Sequence, residues 1–138
     1  MKIRSIKLPK NTIFNMHRKE VARIRTESRR EARNGWRELC GCFYTDKNCN
    51  LFVKILPNHS KNAGEFKLFR SDIVNYRNRG PVWGLFHSHP ISDSQPKNRD
   101  LTTKSWGNGA LIYDVIGDQL DLWLLIDTRI ERLKIVFI

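Results

Sequence analysis

The chain lacks any apolar run approaching the roughly 18 residues that a membrane-spanning helix requires, so no helical span is expected. Its opening stretch, MKIRSIKLPKN, has neither the apolar centre nor the small-residue cleavage site of a secretory leader. A cytoplasmic protein without membrane contact is the expectation. Cysteine is scarce: Cys40, Cys42 and Cys49 are odd in number and sparse, which argues against a disulfide framework. Free, buried thiols are expected instead. Acidic residues are also in deficit, with 14 Asp and Glu against 25 Lys and Arg and a net charge of +11. That imbalance predicts attraction to something acidic, either nucleic acid or an acidic protein surface, with simple solubility as the plainest account. No repeat, low-complexity stretch or break in composition divides the chain, so residues 1–138 read as one domain.

What is present is enough for a core. An apolar fraction of 40% and an aromatic fraction of 10% over 138 residues are ordinary for a chain that folds without staples. The segment Asn15 to Asn34 has no Pro or Gly, opens on an Asn cap and closes before Gly35, which predicts a helix. Val21, Ile24, Ser28 and Ala32 form its core stripe, and arginines occupy the remaining faces. ELCGCFY and LFVKIL predict two strands joined by the turn-prone TDKNCN. After the loop PNHSKNAG come a short strand, EFKLF, and a short helix capped by Ser71 and stopped at Gly80. PVWGLFHSHP then predicts a buried strand, and Lys97 to Trp106 a third helix ended by Gly107. ALIYDVI and LDLWLLI are strands turning at Gly117 and Asp118, and RLKIVFI is a last strand. Helices mixed with strands over one core predict an α/β layered domain.

The chemistry concentrates in a few positions. His87 and His89 lie two apart at a strand end, and a strand's period of two puts both imidazoles on one side of the backbone. Asp100, eleven residues beyond His89, is returned towards them by the intervening polar loop. Two nitrogens and one carboxylate leave a fourth tetrahedral position open, which distinguishes catalytic zinc sites from closed structural ones. One zinc ion is therefore the expected cofactor, acidifying a water towards a pKa of about 7. A general base must manage the proton, and Glu38, at the junction of the first helix and the strand after it, is a candidate that a family resemblance also favours.

Here the sequence resembles the JAMM metalloprotease family, in its catalytically competent MPN-plus branch. The family signature is a distant Glu, then His-x-His, ten residues and Asp, and VWGLFHSHP with QPKNRDL and the upstream ELCG match it. The order of an early helix, a strand ending ILPN and a helix before VWGLFHSHP is similar too, so the resemblance covers nearly the whole chain. It implies a three-layer domain, a mixed β-sheet flanked by helices as in cytidine-deaminase-like folds. It further implies one catalytic zinc on His87, His89 and Asp100, with Glu38 as acid and base. The activity implied is cleavage of an amide bond at the C-terminus of a ubiquitin-like protein, and the partners are that modifier, its conjugates and its activating and conjugating enzymes. The chain departs from the family at Lys97, which stands where a Ser three residues before the Asp helps to hold the oxyanion. Lys97 supplies positive charge there, or Ser92 or Ser94 takes the role, or Lys97 simply points to solvent.

Other residues carry two readings each. Ser88 either orients a carbonyl or is an ordinary strand-end polar residue. Asn58 lies where family members have an Asn near the substrate path, and a loop-forming Asn after Pro57 accounts for it equally. Trp36, beside Glu38, is a candidate to line the cleft, whereas Trp83, Trp106 and Trp123 read as packing. Cys40, Cys42 and His59 as a second metal set are disfavoured, because Cys in an apolar strand behaves as a small hydrophobe. Two rival functions stand beside the isopeptidase: a phage-tail-type peptidase with the same chemistry on another substrate, and a catalytically weak MPN scaffold or nucleic-acid-binding domain.

Overall fold

A computed structural model of the chain describes residues 3–77, 79–91 and 106–138. Leu51–Leu56 is a strand with alternating burial, whereas the runs Cys40–Thr45, Trp83–His89 and Gly109–Asp114 are buried almost throughout because both faces of the sheet are covered there. The order is β1 (Phe14–Met16), α1 (Arg18–Arg33), β2 (Cys40–Thr45), β3 (Leu51–Leu56), α2 (Arg70–Ile73), β4 (Trp83–His89), β5 (Gly109–Asp114), β6 (Gln119–Ile126), β7 (Arg129–Leu133) and β8 (Ile135–Phe137). Six strands form one sheet in the order β3-β2-β4-β5-β6-β7, and β1 pairs with β8 apart from it. Within the large sheet β4 and β5 run parallel and the other neighbours antiparallel. The fold is mixed α/β and mostly strand.

Side-chain alternation assigns a different core to each face of this sheet. Phe43, Phe86, Leu111, Tyr113, Leu122 and Leu124 point to the face packed by Ile24 of α1. Cys40, Cys42 and Leu85 point to the other, where Phe66, Ile73, Leu68, Tyr76 and Trp106 cover them. Ile24, Ser28 and Ala32 are the buried stripe of α1, as their spacing predicts. Gly35, at φ +80°, ends this helix. The amide of Trp36 donates to Ala32 O at 2.9 Å and that of Arg37 to Glu31 O at 3.1 Å, closing its last carbonyls. On β2 no side chain fits at Gly41, since a Cβ there would lie 1.9 Å from Lys54 O.

Four elements differ from the sequence-based expectation. Asn15 does not cap α1; it lies in β1, and His17 occupies the cap position without a side-chain capping bond. Phe14 and Met16 are 0% and 1% exposed, so burial with a strand period outweighs the helical period of the residues that follow. RLKIVFI is two strands, β7 running antiparallel to β6 and β8 parallel to β1. EFKLF makes no ladder at all; it is an extended segment that lays Phe66 and Leu68 on the sheet. The helix expected from Ser71 to Gly80 shortens to Arg70–Ile73, followed by turns, with Phe69 rather than Ser71 at its cap position. The helix expected over residues 97–106 lies, except for Trp106, outside the described residues.

Candidate metal centre

Because β4 runs parallel to β5, the C-terminal ends of these two strands lie side by side, where α/β sheets place their ligands. Because β2 runs antiparallel to β4, the start of β2 is brought to the same end. All seven residues of β4 are buried, with His87 1% and His89 4% exposed. Their side chains fall on one face of the sheet, and the two Nε2 atoms are 2.9 Å apart. The ring of Phe66 stacks on that of His87, with centroids 4.7 Å apart, and fixes its plane.

This pair fits zinc. Two imidazole nitrogens at about 2.0–2.1 Å from a tetrahedral ion stand about 3.3 Å from each other, within a few tenths of an ångström of the 2.9 Å found. As it stands the contact is a hydrogen bond, with the proton on one of the two Nε2 atoms; with both ring protons on Nδ1 the same two atoms would offer zinc a lone pair each. Asp100, the expected third ligand, lies outside the described residues, as do Lys97, Ser92 and Ser94. Among the described residues no three His, Cys, Asp or Glu side chains gather closely enough to hold a metal ion.

Glu38 is 3% exposed. Cys40 is registered with His87, so the antiparallel geometry puts Glu38 level with His89 and on the face that carries both imidazoles. Ser88 acts as a latch for this arrangement: its amide donates to Leu39 O at 2.9 Å, and its Oγ accepts from the Leu39 amide at 2.8 Å. Both sides of Leu39, between Glu38 and Cys40, are thereby tied to the histidine strand.

Asn58 is a second clamp. Its Nδ2 donates to the carbonyls of Glu38 at 2.9 Å and Glu65 at 3.1 Å. Its Oδ1 accepts from the amides of Ser60 at 2.9 Å and Lys67 at 3.1 Å. Arg37 adds bonds to the carbonyls of Asn58 and Ser60, each at 3.0 Å, and reaches Glu31 of α1 at 3.2 Å. The loop that delivers Phe66 to His87 is therefore fastened to the segment that delivers Glu38. Neither Arg37 nor Phe66 stood out in the sequence. The Phe66 contact joins segments about twenty residues apart and leaves no local signal.

Trp36 has the left-handed φ of +59° and is 55% exposed. It lines a groove of about 600 Å³ with Pro90, Val115 and Ile116, while Arg29 and Arg33 stand on the α1 side. Pro90 directly follows His89, so this groove opens beside the end of the histidine strand.

The second metal set does not assemble. Burial pushes the Cys40 thiol up to about 12, with the nearby Glu38 charge adding to it, and burial alone pushes Cys42 to about 12. What keeps the set apart is geometry, since these two cysteines and His59 do not gather closely enough to share an ion. His59 is turned elsewhere, stacked on Phe69 at 3.6 Å with its Nε2 3.0 Å from Asp72 Oδ2. Trp83 is buried, in keeping with a packing role.

No family model matches the chain, and no curated protein matches it. Among solved structures it is similar to protein DSY2949 from Desulfitobacterium hafniense, a structural-genomics target determined in solution. The TM-score is 0.62 at 18% identity, over 92% of this chain and 93% of that one. This likeness is one of fold. No helix among the described residues is long and apolar enough to cross a membrane.

Proposed function

We propose that the chain is a zinc-dependent peptidase of the JAMM type, acting on the amide bond at the C-terminus of a ubiquitin-like protein. The observation that carries this reading is the convergence of His87 and His89, buried and 2.9 Å apart at Nε2, on the sheet face to which Glu38 also belongs. Asp100 is the third ligand in this proposal, and the complete domain has three layers, with helices on both faces of the mixed sheet.

Zinc, when bound, supplies Lewis acidity that polarises the amide carbonyl and acidifies a water. His87 and His89 would hold it through Nε2, and the stacked Phe66 keeps the first ring in register. Glu38 accepts the water proton at a carboxylate oxygen and delivers it to the departing amine. Lys97 offers positive charge to the oxyanion where the family has Ser. The groove of Trp36, Pro90 and Ile116 takes an apolar stretch of the substrate, and Arg29 and Arg33 favour acidic residues beside it. Activating and conjugating enzymes of the same modifier are the further partners, and the protein works in the cytoplasm.

The test is cleavage of a ubiquitin-like protein carrying a C-terminal fusion, by protein loaded with one zinc ion. Chelation is expected to abolish cleavage and zinc to restore it. Glu38→Gln should retain the metal and lose at least about a hundredfold in rate, as for removal of a general base. Cleavage by Glu38→Gln at the unmodified rate, or undiminished cleavage after complete removal of metal, would refute the mechanism.

A further inference from the structure

On the sheet face opposite the two histidines, a cavity of about 670 Å³ lies between α1 and the strands β6 to β8. It exists because pairing of β7 with β6 begins only at Leu122, opposite Leu133, so residues 119–121 of β6 have no β7 partner alongside. Beyond Leu133 the chain leaves for β8, and the space it vacates is closed on the other side by α1. Arg18, Val21 and Arg25 recur on α1 at intervals of three and four and so share the face that lines this space. Arg132 and Lys134 line it from the strand side. Its apolar lining includes Leu120, Ile135 and Phe137.

The charges here do not cancel. Arg25 Nε donates to Asp118 Oδ1 at 2.8 Å, and the Tyr113 hydroxyl donates to the same oxygen. Both partners hold the Asp118 carboxyl below the usual carboxylate range. Arg132 lies 4.0 Å from Asp121, a loose pair. Arg18 and Lys134 form no ion pair among the described residues. Among the side chains that line the cavity four cations face two acids, a surplus of two positive charges, which the Ile138 main-chain carboxylate beside the Arg18 amide partly offsets.

We propose that this cavity binds a nucleoside phosphate, a ligand outside the peptidase reading and independent of it. The volume falls in the range of small-molecule pockets, about 300–1,000 Å³. A phosphate ester supplies up to two negative charges for Arg18 and Lys134, and the Arg fork matches phosphate oxygens. The apolar members of the lining, Val21, Leu120, Leu133, Ile135 and Phe137, suit a ligand that also carries an apolar, planar portion, which an inorganic anion lacks. Phe137, 37% exposed, presents an aromatic edge or face to a base. A polymer would have to extend past this concavity along α1, where Arg29 and Arg33 continue the basic row beside the next groove, and the oligonucleotide arm of the experiment tests that case.

The experiment is calorimetric titration of the full chain with adenosine monophosphate, with inorganic phosphate, adenosine, a single-stranded oligonucleotide and an acidic peptide as separate arms. Saturable one-to-one binding of the nucleotide is expected. It should weaken at least about tenfold in Arg18→Glu and again in Lys134→Glu, a loss of roughly one charge-assisted hydrogen bond each. Both side chains are exposed, so the variants should fold, and circular dichroism checks this. Arg18→Lys keeps the charge but loses the fork, so its affinity should fall between those of the parent and Arg18→Glu. The proposal is overturned by absence of nucleotide binding, by adenosine or inorganic phosphate binding as tightly as the nucleotide, or by unchanged affinity in both charge-reversed variants. It is equally overturned if the oligonucleotide or the acidic peptide takes the site more tightly than the nucleotide does.

Discussion

Asn58 and Glu38 are joined by a hydrogen bond of 2.9 Å from the Asn58 amide group to the Glu38 main-chain carbonyl. The same amide group also donates to Glu65, and its oxygen accepts from Ser60 and Lys67, so the side chain is committed on every side. A residue bonded in this way sets the position of the proposed base and has little left to offer a substrate.

For Asn58→Ala we expect a loss of about 2–3 kcal/mol in stability, from several hydrogen bonds each worth about 1 kcal/mol net. Asn58→Asp keeps the acceptor bonds but cannot donate to Glu38 O. Both variants should lower kcat with KM nearly unchanged, because the displaced group is Glu38. Steady-state kinetics on the fusion substrate distinguishes this from substrate contact, for which KM would rise at constant kcat.

Trp36 combines a strained backbone with an exposed indole, and its replacement should act in opposite directions on stability and function. Asn tolerates the left-handed region better than a bulky residue does. Trp36→Asn is therefore expected to be as stable as the parent or more stable by up to about 1 kcal/mol. It should at the same time raise KM for a substrate that uses the groove. Urea unfolding and kinetics on one preparation test both halves.

Three acids are held protonated in the fold: Cys40 and Cys42, each raised from 9.0 to about 12, and Tyr113, raised from 10.0 to about 12. In the unfolded chain these groups ionise at their ordinary values. Between about pH 9 and about pH 12 the unfolded state thus binds fewer protons than the folded state, and stability must fall as pH rises. Urea midpoints measured at intervals across that range should decline steadily. At mildly alkaline pH, iodoacetamide should modify the partly exposed Cys49 and spare Cys40 and Cys42 until the chain unfolds. Rapid alkylation of all three in the native protein would contradict this account.

The strands legible in the sequence were those whose own residues carry the pattern. Leu51–Leu56 follows from alternation, and the hairpin of β5 and β6 from two apolar, β-branched and aromatic runs on either side of a turn at Gly117 and Asp118. The shared side of His87 and His89 follows from the same period of two. What was illegible depended on distant partners. Phe14–Met16 is a strand because Ile135–Phe137 lies beside it, more than a hundred residues later. Phe66 has a defined role because His87 lies beneath it, and nothing in EFKLF announces that. Asn58 could be read from its position as a substrate neighbour or a loop former, and only the atoms it bonds separate the two.

The complete burial of β4 has a consequence for how the histidines respond to fluctuations. With β2 on one side and β5 on the other, the strand has no free edge from which to fray. Its amides should therefore exchange with deuterium only when the whole sheet opens, at the slowest rates in the molecule. The spacing of the two imidazoles would then persist as long as the fold does, so that in the proposed zinc site any loss of affinity on heating before global melting would point to the third ligand and not to the histidine pair.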